Sequence, residues 1–60
     1  MEMNKLELIE KSEVRGIKFA IYFRPGRTGG MFLLFVGNTM RTAKPTLKGA
    51  QGAMAKIVKG

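Results

Sequence analysis

Sixty residues without a cysteine or a histidine leave room for one small domain, because a chain of this size buries only about 60% of the surface its unfolded form exposes. They also exclude a disulfide framework and remove the commonest metal ligands. Lysine and arginine number 11 against 4 for aspartate and glutamate, giving a formal net charge of +7, while 45% hydrophobic residues argue against wholesale disorder.

Residues 3–10 read MNKLELIE: Leu6 and Leu8 alternate with Lys5 and Glu7 until Ile9 breaks the pattern, which predicts a strand, with a short helix as the alternative. Residues 14–24 are the clearest element. Ile17, Phe19, Ile21 and Phe23 fall on one face and Lys18, Ala20, Tyr22 and Arg24 on the other, the period of a half-buried strand. Gly16 near its start suits a bulge or a close approach of a neighbouring chain. Residues 24–30, RPGRTGG, punctuate the backbone with Pro-Gly and Gly-Gly and predict a mobile, basic hairpin tip. MFLLFV, residues 31–36, is an unbroken apolar run bounded by glycines and predicts a third strand. Residues 37–45 are expected to be a polar, basic connection carrying Arg41 and Lys44. Thr46 then suits a helix N-cap, and Leu47, Ala50, Met54, Ile57 and Val58 form one stripe of a helical period. Gly49 and Gly52 inside that helix each cost up to about 1 kcal/mol relative to alanine, so either something approaches closely there or the helix is weak. Lys56 and Lys59 suit the last turn, and Gly60 a stop. The expected fold is α+β: a three-stranded antiparallel β-meander with one C-terminal α-helix packed on one face (β-β-β-α), a single domain over residues 1–60.

One helix can cover only one face of such a sheet, yet MFLLFV is apolar on both. Met31, Leu33 and Phe35 point one way and Phe32, Leu34 and Val36 the other. The uncovered set could be buried in a homodimer, could serve with Lys18, Tyr22, Arg24 and Phe32 as a platform for stacking bases, or could dock a protein. Leucine and valine suit a buried interface best, so a homodimer is expected. Self-association would also supply the staple that domains below about 70 residues usually need.

Catalysis is not expected. Acid–base chemistry draws on histidine or paired carboxylates, and no spacing here assembles a nucleophile with a base and an orienting group. No cofactor is expected, and Glu7, Glu10 and Glu13 read as a solvated stretch rather than a metal site. The glycines at 26, 29 and 30 lack the phosphate-loop spacing and its helix N-terminus. Residues 1–11 lack the basic start and apolar run of a signal peptide, and the longest uncharged stretch, residues 29–40, falls short of the roughly 20 residues that span a bilayer. A cytoplasmic protein without a membrane partner is expected.

The charge is distributed unevenly. Glu2, Glu7, Glu10 and Glu13 all precede Val14, and nine lysines and arginines follow it with no further carboxylate side chain. A pI of about 10.4 is the footprint of a nucleic-acid binder. The expected function is a small nucleic-acid-binding module, for DNA ahead of RNA, gripping phosphates through Arg15, Lys18, Arg24, Arg27, Arg41 and Lys44, with Tyr22 and Asn38 adding base contacts. The alternative is a small inhibitor or adaptor, of the kind phages and other mobile elements carry, docking on an acidic protein. In element order and basic strands the chain resembles the three-stranded-sheet-plus-helix DNA-binding domains of some integrases and plant transcription factors, whose sheet enters the major groove. No diagnostic residue string accompanies that resemblance.

Overall fold

A computed structural model describes residues 6–27 and 29–59. Its elements in chain order are β1 (Glu7–Val14), β2 (Ile17–Gly26), β3 (Gly29–Val36), β4 (Thr39–Lys44) and α1 (Leu47–Lys59). The strands form one antiparallel sheet in the order β1-β2-β3-β4. The α+β class and the C-terminal helix are as the sequence predicts, but the sheet has four strands and not three.

The additional strand occupies most of residues 37–45, which read as a connection. TMRTAK has no apolar alternation, yet its backbone pairs with β3 from Phe32↔Lys44 to Val36↔Thr39. An edge strand needs only one neighbour's hydrogen-bonding groups, so a polar sequence can occupy it when that neighbour is strongly strand-forming. The first strand is also shifted, to Glu7–Val14 from the expected residues 3–10, of which 3–5 lie outside the described residues. Ile9, which broke the alternation in sequence, is the extra residue where the β1–β2 register shifts between Leu8 and Glu10. A bulge therefore sits where the pattern suggested a strand end. Arg41 is the corresponding extra residue on β4. Each edge of the sheet thus carries a bulge, which discourages pairing with further strands.

The hairpins follow from their turn residues. Arg15 and Gly16 have φ of 55° and 80°, the two positive values of a type I′ turn, whose twist suits a two-residue hairpin. Gly16 is accordingly a turn residue and not a bulge within β2. Nothing lies within 4 Å of a Cβ built on it, so no neighbouring chain segment approaches it closely. In the second hairpin the strands continue through Arg24↔Met31, Pro25↔Gly30 and Gly26↔Gly29, so most of the expected tip is paired strand. Pro25 costs no ladder bond to β1, because the β1–β2 pairing reaches only Glu7↔Phe23. At the third turn the Gly37 N–H donates to the Lys18 carbonyl at 2.8 Å, joining that turn to the start of β2.

Register and alternation place Phe19, Ile21, Phe32, Leu34 and Val36 on the face that α1 covers. Phe19, Ile21 and Leu34 are fully buried there with Ala50 of the helix, each large side chain contributing about 1.5–3 kcal/mol by leaving water. Thr46 is the helix cap, its Oγ1 accepting the Gly49 N–H at 3.0 Å. Of the two helix glycines only Gly49 marks a close approach: a Cβ there would lie 3.2 Å from Lys44 Cβ, whereas one on Gly52 would meet open space. At the β1 edge of the same face, Gln51 Nε2 donates to Glu10 Oε1 at 2.8 Å and Ser12 Oγ lies 3.7 Å from Met54 Sδ. Among the described residues no helix is long and apolar enough to cross a membrane.

Candidate functional site

The face that α1 leaves bare brings together Lys18, Tyr22 and Arg24 of the expected binding residues, and its depression reaches Asn38. On β2 it presents Lys18, Ala20, Tyr22 and Arg24, whose partners across the ladders, Met31, Leu33 and Phe35 of β3 and Leu8, Lys11 and Glu13 of β1, necessarily share that face. Lys18 and Arg24 are exposed and Tyr22 is half-buried. Arg15 and Arg27 are exposed in the turns at either end of β2. Two cations therefore lie on the bare face of β2, a strand about 30 Å long at roughly 3.3 Å per residue, and one more sits in the turn at each of its ends. Glu13, paired opposite Lys18, is the one described carboxylate residue whose register puts it on this face. Glu7 and Glu10 register on the helix side. Among the described residues, no three acidic side chains come together as a metal site.

The centre of the bare face is apolar and aromatic. Tyr22 and Phe35 meet edge-on, with ring centroids 5.4 Å apart and planes at 81°. Leu33 beside them is only 8% exposed although no helix covers it. With Ala20, Leu6, Gly37 and Asn38, the two rings line a depression of about 380 Å³. Tyr22 and Asn38, assigned to base contacts from sequence alone, thus share one concavity. The turn that holds Asn38 is tied to Lys18 through the Gly37 hydrogen bond.

The structure does not bring three of the expected residues together with Tyr22 on this face. Phe32 does not belong to the platform, since register puts it on the covered face, 5.0 Å from the ring of Phe23; Phe35 takes its place. Lys44 pairs with Phe32 and so belongs to the covered side, half-buried with its stem against Gly49. Arg41 is exposed at the β4 bulge, two strands away from the cations of β2. Lys11, by contrast, was missed, because the first strand was expected to stop before it. It lies opposite Ala20 on the bare face, and its alternation with Glu13 was the available signal.

Other concavities include one of about 600 Å³ lined by Leu6, Glu7, Phe23 and Pro25 and, at the end of α1, an apolar groove of about 310 Å³ formed by Val14, Ile17, Phe19, Ile57 and Val58 and bordered by Arg15 and Lys59. Comparison with known protein families, with curated proteins and with solved structures finds no match to this chain.

Proposed function

We propose that this chain is a nucleic-acid-binding module whose bare sheet face is the binding surface. The observation that carries this reading is the pair Lys18 and Arg24 on the bare face of β2, flanked by Lys11 and separated by Tyr22, with Arg15 and Arg27 in the turns at its two ends. Cations spaced along a strand can follow a phosphate backbone and release its counterions. The aromatic centre between them gives bases something to contact. No metal or cofactor enters this function.

Two other occupants of the same face are weaker fits. A second copy of the chain would cover the apolar residues, as the homodimer expectation requires. It would also bury Lys11, Lys18 and Arg24 of both copies with, among the described residues, Glu13 alone of each registering on that face to pair them, and an unpaired buried charge is costly. An acidic protein would match the cations, and exposed Leu8, Met31 and Met40 favour it as the second reading. Fluorescence anisotropy with labelled duplex DNA, single-stranded DNA and RNA decides among them. Binding should weaken steeply between about 50 and 200 mM salt, log affinity falling by roughly 0.7 to 0.9 per phosphate contacted for each unit of log salt. No binding to any of the three at about 50 mM salt rejects the proposal and leaves a protein partner. Sedimentation equilibrium of the free protein tests the dimer separately.

A further inference from the structure

The bare face carries features that a double helix cannot use. Leu8, Met31 and Met40 are 48%, 38% and 50% exposed, and Tyr22 and Phe35 stand among them. A duplex hides the faces of its bases in its own stack, so against this surface it would set sugars and phosphates on apolar side chains. A single strand can turn its bases onto aromatic rings while its backbone follows the cations. The edge-on contact of Tyr22 with Phe35 occupies less ring surface than a stacked pair would, leaving ring face open to the depression. At about 380 Å³ that depression falls within the range of small-ligand pockets, roughly 300–1,000 Å³, and is large enough for one base. Asn38 on its wall supplies an amide with both donors and an acceptor for a base edge.

We infer, resting on the nucleic-acid reading above, that the ligand is single-stranded and that one unstacked base enters the depression formed by Tyr22, Phe35 and Asn38. The phosphates on either side of that base run past Lys18 and Lys11. Pyrimidine or purine, deoxyribose or ribose are alternatives within this one chemistry.

The chain provides its own probe, because Tyr22 is the single tyrosine and there is no tryptophan. Its intrinsic fluorescence is followed during titration with an unlabelled oligothymidylate of about 12 nucleotides, a length that fits single-strand sites of this kind. Anisotropy is read in parallel on labelled oligothymidylate, oligouridylate and a hairpin duplex. Single strands should bind at least about tenfold tighter than the duplex at equal salt, and Tyr22 emission should be quenched in step with binding. Phe35→Leu should weaken single-strand binding roughly 5- to 100-fold and leave duplex binding unchanged. Should that variant melt early, Asn38→Ala at the exposed turn makes the same comparison with a smaller loss. Tyr22 emission unchanged at saturating single strand, or a duplex bound as tightly as the single strand, overturns the inference while leaving the nucleic-acid reading intact. Failure of every polymer to bind overturns both.

Discussion

The two faces of the sheet are built from the same strands by simple alternation, yet they are composed for different ends. On the covered face Phe19, Ile21 and Leu34 reach almost complete burial against Ala50, and the polar side chains at its margin find partners, as Gln51 does with Glu10. On the bare face the interior is aromatic, the border is cationic, and large apolar side chains such as Met40 remain half exposed. Stability is concentrated on one side, which frees the other to keep residues that folding alone would not select. Substitutions on the first face should register in melting, and those on the second in binding.

The strongest way to break that division is Phe19→Ala. Phe19 is 1% exposed, and truncating a buried phenylalanine costs about 3–5 kcal/mol, a large part of the stability available to so small a domain. Thermal denaturation followed by circular dichroism should show a collapsed or absent transition. A near-native melt would mean that the faces of β2 are assigned the wrong way round. Gly30→Ala probes the same division at the rim, where the ring of Phe23 lies over the glycine. An added Cβ would stand 2.5 Å from Phe23 Cζ and 2.7 Å from the Arg24 carbonyl oxygen. The ring can swing aside but the backbone oxygen cannot, so a loss of about 1–3 kcal/mol is expected, read from a urea titration. A neutral result would show that the end of the β2–β3 hairpin shifts freely.

Much of this arrangement was legible in the sequence, for identifiable reasons. The strict alternation of β2 and the apolar stripe of α1 are driven by burial, so the residues that needed covering announced themselves, and Thr46 signalled the helix start. What the sequence concealed depended on pairing. TMRTAK forms a strand because β3 lies beside it, and no periodicity within those residues records that. Ile9 read as an ending because a bulge interrupts alternation just as a strand end does. The site was half visible for the same reason. Lys18, Tyr22 and Arg24 share a face by spacing alone, but whether Phe32 or Phe35 joins them is set by the register Tyr22↔Leu33. Asn38 reaches Tyr22 only because the third turn folds back beside β2. Lys44 was misplaced because a residue assigned to a loop has no face.

The smallest expected effect on folding comes from the bare face, and it is the sharpest test of the division. Arg24→Ala combined with Arg27→Ala removes two exposed cations, and exposed charges typically contribute within about 0.5 kcal/mol to folding; the melting curve should hardly move. If both arginines touch phosphates, the slope of log affinity against log salt should become shallower by about 1.4 for a single strand or 1.8 for a duplex, two contacts at roughly 0.7 or 0.9 each. The loss should be uniform across sequences, because phosphate contacts carry no sequence information directly. Lys44→Ala serves as the control, removing equal charge per site from the covered side, where Lys44 packs against Gly49. Its salt slope should match that of the unaltered protein. Equal changes of slope for Lys44 and for each arginine would mean that net charge alone governs binding, and the bare face would lose its claim to be the site.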